Sequence, residues 1–422
     1  MITPSFGLTA TERVLPRLAL DFTTASLDSR VTFTRSGNTA TVINSSGNIA
    51  VSTANTPRFD YNPTTLVCNG LLIEESRINS IRNNTMVGTV AGTPGTLPTN
   101  WSNYTSVTGL TFTIVGTGVE TGITYIDLQI SGTPSAGGIF NINYEAVGGI
   151  AGLTGQTWTA SAYRKIAAGS IAGIGGIRFG LTEYNAVSAQ TANTFSPSYP
   201  TITTAALITQ RASATITTSG GATTAFLLPY DQLILTGAAV NLTLRIGLPQ
   251  FEQGAFATSV ISTTTTSVTR NADVAVMTGT NFSDWYTATT GAAVVWATPQ
   301  AATGTRPLIQ FDDTTALEII TLRGNIADPE LYIVDGGVAQ AQIDAGTIVA
   351  NTAYKLSGGW DTNNCAAAKD GGTVGTDTSA TMPTPTQLRI GSDGTNYASA
   401  VIQKIMYWKQ RIINAEVQAF SK

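Results

Sequence analysis

An all-β, multi-domain chain is predicted by three observations: scarce charge, abundant Thr, Ser and Gly, and apolar residues that alternate with polar ones between closely spaced turns. Charged residues make up 11% of the 422 positions, against about 25% in ordinary soluble domains. Thr and Ser fill about a quarter of the chain beside 42 Gly; Thr suits a pleated, half-wet strand surface, while Gly and Asn suit turns. The length accommodates about two to four domains and a core that needs no disulfide or metal staples.

Taken in order, Leu18, Leu20 and Phe22 alternate, then Val31 and Phe33, and Ser36-Gly37-Asn38 and Ser45-Ser46-Gly47-Asn48 punctuate the run. Period two with a turn every ten or so residues reads as a β-meander. The pattern continues through Arg58-Phe59-Asp60-Tyr61 and Gly70-Leu71-Leu72-Ile73-Glu74 and breaks at Arg82-Asn83-Asn84, so residues 1–84 read as an N-terminal β module. Strand candidates then follow at 110–115, 125–130, 139–144, 158–164, 177–182, 225–228 and 240–246. No helix-period segment lies between them, so 85–262 reads as a jelly-roll sandwich, since parallel strands would need crossover helices. Ala172-Gly173-Ile174-Gly175-Gly176 lacks the Lys-Ser/Thr and the following helix of a phosphate loop, and reads as a bulge or strand turn.

The Thr-rich run at 263–266 opens an extended linker over 263–280. Residues 281–422 again read as strands, with hairpin turns at Asp335-Gly336-Gly337 and Asp370-Gly371-Gly372, where Asp and Gly tolerate positive φ. One short helix closes the chain: Asn414 is placed to cap it, Glu416 sits in its first turn, and Val417 and Phe420 share a face.

The composition excludes several function classes. There is no His, which removes the commonest general base, the Ser-His-Asp and Cys-His constellations and the commonest metal ligand together. Twenty-two Lys and Arg face 26 Asp and Glu without a basic run, so no nucleic-acid partner is expected. No window reaches the roughly 18–20 apolar residues of a membrane span, and residues 1–17 lack the basic and apolar regions of a secretory signal. Cys68 and Cys365 are expected to be small buried apolar residues of different domains. No cofactor is expected. A surface-like composition on a chain made in the cytoplasm fits a component of a particle that leaves the cell with it.

Three stretches carry a resemblance to a known family. Pro57-Arg58-Phe59-Asp60-Tyr61, followed by Gly70-Leu71-Leu72-Ile73-Glu74-Glu75-Ser76-Arg77-Ile78-Asn79, resembles the N-terminal module of tailed-bacteriophage head spike and tail fibre proteins. Pro249-Gln250-Phe251-Glu252-Gln253-Gly254-Ala255-Phe256-Ala257-Thr258-Ser259, with its sequel Val268-Thr269-Arg270-Asn271-Ala272-Asp273, is similar to the segment that ends a carbohydrate-binding-like jelly roll in the same proteins. Gln387-Leu388-Arg389-Ile390-Gly391, Ile405-Met406-Tyr407-Trp408-Lys409-Gln410-Arg411 and Ala415-Glu416-Val417-Gln418 resemble the end of a concanavalin A-like, laminin-G-type lectin sandwich. The resemblance implies a virion fibre or head spike, made in the bacterial host cytoplasm and carried on the virion. It implies a homotrimer that docks on other phage virion proteins of the capsid, portal, neck or tail and contacts host surface glycans. The absence of a heptad run leaves subunit contact to β surfaces and loops. A capsid decoration protein without a glycan ligand and a glycan-cleaving tailspike are the alternatives.

Hydrolysis of a glycan needs two carboxylates about one bond, which concanavalin-type glycanases place as Glu-x-Asp on one strand. No Glu here has Asp two residues on, so no enzyme is expected. Glu74 and Glu75 read instead as an ion-pair patch with Arg77 and Arg82. Sugar binding wants exposed aromatic faces beside amide and carboxylate groups. Trp360, Asp361 and Asn363 form the best local cluster, and Asp393, Asn396 and Tyr397 another; Gly358-Gly359 and Gly391 before them suggest that both loops crowd one rim of the lectin sandwich, where concanavalin-like folds hold ligands. Asp284, Trp285 and Tyr286 form a third cluster, which also fits a core at a strand end. Trp158, Trp296 and Trp408 sit inside apolar alternation and read as core. Asp312, Asp313, Asp361 and Asp393 offer hard oxygens, but their spacing makes no calcium loop.

Overall fold

The computed structural model describes residues 15–221 and 223–422; the reading of the first 14 residues lies outside the described ones. The architecture is all-β, two stacked β-sandwiches with two short α-helices among the described residues, Thr280–Ser283 and Asn414–Phe420.

The middle sandwich packs a five-stranded sheet, in the order Arg211–Thr217, Thr157–Gly169, Val240–Gln253, Ile123–Gly132, Leu110–Glu120, on a six-stranded one. The latter runs Gln190–Phe195, Ile174–Tyr184, Phe226–Leu235, Gly138–Asn143, Ser102–Thr105, with Ile150–Ala151 added to Phe226–Leu235. Alternate residues of each strand meet inside. Ile126, Leu128 and Ile130 pack with Phe140, Ile142, Phe179 and Leu233 in one core, and Trp158 stacks flat on Phe251 with ring centroids 4.8 Å apart.

The second sandwich, an eight-stranded sheet packed on a seven-stranded one, is built from the N-terminal and C-terminal parts of the chain. Leu18–Asp21 and Cys68–Ile73 both pair with Ala400–Trp408, at residues 404–407 and 400–402, and Thr32–Thr34 pairs with Val274–Thr278. Leu20, Phe22, Phe33, Leu71 and Ile73 are buried in the same core as Phe311, Trp360 and Tyr407. The expected independent module at 1–84 is therefore corrected: strands of three to six residues cannot bury their faces alone, and they complete the C-terminal sandwich instead. The chain starts that sandwich, leaves to build the middle one, and returns. The 263–280 segment is likewise no free linker. Thr263 exchanges hydrogen bonds with Asn84 (3.0 and 2.8 Å), Val268–Arg270 pairs with Arg77–Asn79, and Val274–Thr278 lies within the seven-stranded sheet.

Smaller expectations resolve along the same lines. Both Asp-Gly-Gly segments form turns between antiparallel strands. Cys68 and Cys365 are buried free thiols, but they lie in one sheet of one sandwich, because the N-terminal strands join it. The terminal helix is capped one residue early, at Ile413, whose N–H donates to Glu416 (3.2 Å). It covers the outer face of the eight-stranded sheet, where Phe420 stacks on Trp408 at 4.8 Å. Trp296, expected in the core, lies half-buried on this outer face with Lys355 Nζ 4.2 Å from its ring.

Where the two sandwiches meet, three arginines and three carboxylates are buried together: Arg35, Arg58, Arg270, Glu74, Glu252 and Asp273, each 2% exposed or less. Glu74 accepts from Arg58 (2.7 Å), from the Ser259 N–H (2.7 Å) and hydroxyl (2.6 Å), and from Gln300 (3.0 Å), with Arg270 3.0 Å away. Asp273 accepts from Arg35 (2.8 Å), Arg58 and the Glu74 N–H (2.9 Å). Thr258 receives Arg270 (2.9 Å) and donates to Glu252 (2.7 Å). Burial alone would raise the Glu74 carboxyl, but Arg270 and Arg58, helped by Ser259, hold it well below the usual carboxylate range. The ion-pair patch expected from Glu74, Glu75, Arg77 and Arg82 splits in three: Glu74 joins this cluster, Glu75 bridges Arg77 and Arg306, and Arg82 reaches Glu145.

Removing one member of a buried ion cluster costs about 3–5 kcal/mol, because its partners stay buried and unpaired. Glu74→Gln should lower the urea midpoint at pH 7 accordingly. Since the folded carboxyl lies below the ordinary Glu value of about 4.3, its contribution is complete above that value and fades as pH falls toward the folded one. The variant should therefore lose part of the acid-induced drop in midpoint below about pH 4; an unchanged midpoint and an unchanged acid limb would contradict this.

Candidate glycan-binding groove

The outer face of the middle sandwich's six-stranded sheet carries a groove of about 490 Å³. Its residues stand in rows set by strand register. One row runs Phe195, Gly180, Tyr230, Asn143, Ser102, and the next Arg178, Gln232, Asn141, Tyr104. The alternation that sends Phe140, Ile142, Phe179 and Leu233 inward sends these outward. Gly180 makes the floor possible: a Cβ there would lie 2.3 Å from the Tyr230 ring, which crosses the strand at that point.

The floor is amide and hydroxyl chemistry. Asn143 donates to Ser102 (3.0 Å), Gln232 to Asn141 (3.2 Å), and Thr182 to Asn193 (2.6 Å). Burial pushes the Tyr230 phenol above its ordinary range, so it stays a neutral hydroxyl. Aromatic rings stand along the sides: Tyr104 is 53% exposed, and Tyr184 and Phe195 are half-buried, with Phe195 edge-on to Tyr230. At one end lies Glu145, buried and held by Arg82 through Nε (3.1 Å), the terminal nitrogen (2.6 Å) and the backbone N–H (3.1 Å).

The two loops that the sequence nominated are not brought together. Trp360 is 0% exposed, in the core beside Phe311 and Tyr407. Asp361 and Asn363 form the turn after Tyr354–Asp361, next to Thr290 and the Trp408 end of the sheet, where Asp361 accepts from the Thr362 N–H (2.8 Å). Asp393, Asn396 and Tyr397 lie in the loop before Ala400, at the other end of the same sheet. Eight residue steps along Ala400–Trp408 put the two loops about 25 Å apart at a strand's usual rise. The expectation of one shared rim is corrected. Asp393 binds the Asn396 N–H (2.6 Å) and side-chain amide (2.8 Å), and both border a polar hollow of about 350 Å³ with Asp312 and Arg389, while Tyr397 packs against the core. Asp284 ends the one-turn helix, and Trp285 and Tyr286 belong to the core. Asp312 is buried and accepts from Gln310 (3.0 Å) and Arg389 (2.9 Å), whereas the Asp313 side chain accepts from Thr315. Among the described residues, no three acidic or thiol groups converge as metal ligands would.

No family model matches the chain, and no curated protein does. Solved structures that it resembles include the CBM40 of the Ruminococcus gnavus IT-sialidase bound to α2,3-sialyllactose (11% identity, 32% of this chain and 83% of that one, TM-score 0.27). Two others are the CBM22-1–CBM22-2 tandem of Paenibacillus barcinonensis Xyn10C (9%, 77% and 99%, 0.25) and domains LG4-5 of the mouse laminin α1 chain (8%, 60% and 81%, 0.24).

Trp360→Ala should cost about 3–5 kcal/mol of stability, as for other core Trp truncations, while Tyr104→Ala, at an exposed position, should cost less than about 0.5 kcal/mol. Urea unfolding of both variants checks this; a small loss for Trp360→Ala would return that side chain to the list of surface candidates.

Proposed function

We propose that the protein is a non-enzymatic, glycan-binding adhesin, and that it serves as a trimeric head spike or tail fibre of a phage virion. The observation that carries the binding function is the groove: exposed aromatic edges stand beside a floor of side-chain amides, as sugar C–H faces and hydroxyls require. Among the described residues that line it, the carboxylate is Glu145, already engaged by Arg82, and glycoside cleavage calls for two; this supports binding over hydrolysis. The virion assignment is supported by the resemblance of the segments at 57–79 and 249–273 to phage spike and fibre proteins. Trimerisation fits weak single sites, since three linked copies gain avidity without new contacts.

Each aromatic contact is worth about 1 kcal/mol. Tyr104→Ala with Tyr184→Ala should therefore weaken capture of purified host surface polysaccharide by about tenfold or more, with the variant still folded by its cooperative unfolding transition. Undiminished capture would move the site elsewhere. Light scattering of the purified chain should give three times its 43.9 kDa mass; a monomer at micromolar concentration would contradict the trimer.

A further inference from the structure

We propose that the groove takes an acidic glycan, one whose sugar rings carry carboxylates, and that Arg178 is the residue that meets the acid; this rests on the groove being the glycan site. Among the described residues lining or flanking the groove, the charged groups are Glu145, neutralised by Arg82, and Arg178. The groove therefore carries one uncompensated positive charge.

Arg178 is held ready for a ligand. Its Nε and one terminal nitrogen donate to the same Gln232 oxygen, at 3.1 and 2.8 Å, and Gln232 is itself oriented by Asn141 (3.2 Å). The guanidinium carbon sits 3.8 Å from the Phe195 ring centre and 5.6 Å from that of Tyr199. A Cβ at Gly176 would strike the Tyr199 ring at 2.3 Å, so a glycine lets that ring close over the strand beside Arg178. Stacking and the Gln232 contact reduce the side-chain entropy that a ligand would have to remove, and a carboxylate forms stronger, charge-assisted bonds to such a group than a sugar hydroxyl does.

Other stacked arginines show what Arg178 lacks. Arg245 lies 3.5 Å from the Tyr125 ring centre and Arg323 3.9 Å from that of Tyr332, yet Arg245 also binds Asp127 and Glu120, and Arg323 binds Glu330. Arg35, Arg77, Arg164 and Arg306 combine an aromatic neighbour with a carboxylate in the same way. Arg178 and Arg211 stack with no carboxylate in ion-pair range among the described residues. Arg211 is bonded to Ser161 (3.0 Å) and borders a small cavity between the sandwiches, so Arg178 is the one on the open groove face.

The test uses the full-length protein and a panel of uronic-acid-rich bacterial capsular polysaccharides, each beside its carboxyl-reduced form, in which the acid has become a primary alcohol. Biolayer interferometry on wild type, Arg178→Gln and Tyr104→Ala reads the affinities, and unfolding midpoints confirm that the variants fold. Wild type should bind at least one native polysaccharide tenfold or more tightly than its reduced form, and Arg178→Gln should erase that preference. Equal binding of both forms by wild type, weakened by Tyr104→Ala, would overturn the acid preference and leave the groove as the site. A preference that survives in Arg178→Gln would overturn the role of Arg178, and binding to neither form across the panel would overturn both readings. The wild-type comparison stands even if the Arg178 variant fails to fold.

Discussion

The buried cluster around Arg58, Glu74 and Asp273 is the constraint on which the arrangement of the two sandwiches depends. Three arginines and three carboxylates give a balanced charge at a buried site, and burying such groups is tolerable only when they are paired and hydrogen-bonded. Their partners come from four stretches of chain: the N-terminal strands, the end of the middle sandwich with Thr258 and Ser259, the return segment with Arg270 and Asp273, and Gln300 of the second sandwich. A shift of any one of these stretches takes a hydrogen bond or an ion pair away from a buried charge. The cluster thus fixes how the middle sandwich is set into the other, and with it the direction in which the groove faces.

The same cluster draws on two segments of chain, 57–79 and 249–273. Arg58 and Glu74 stand in the first, and Glu252, Thr258, Ser259, Arg270 and Asp273 in the second. Both motifs therefore have a structural role: they hold the crossings between sandwiches. The groove lies elsewhere, on the outer face of the six-stranded sheet.

Local order was legible in the chain, and long-range pairing was not. Alternation at Leu18 and Leu20, the Asp-Gly-Gly turns and the apolar runs around Phe140 and Leu244 are period-two or turn signals, and they describe strands correctly. Nothing in such a signal says which sheet a strand joins, so the pairing of Cys68–Ile73 with a strand more than 300 residues later stayed hidden. Trp360 looked like a sugar platform because Asp361 and Asn363 follow it, but its neighbours in space are Phe311 and Tyr407. The groove assembles Tyr104, Asn141, Phe195 and Gln232 from four strands. Its one local trace is Gly138–Asn143, where Phe140 and Ile142 alternate with Asn141 and Asn143: paired amides on the outward face of a strand whose other face is core.

Hydroxyl-radical footprinting with mass spectrometry, on the protein alone and saturated with host surface polysaccharide, tests the central claim most directly. It reports solvent access at each aromatic ring without altering the chain. The account predicts protection at Tyr104, Tyr184, Phe195 and Tyr199, with Tyr397 unchanged. Protection confined to the loop around Tyr397, or to no residue of the six-stranded face, would contradict it.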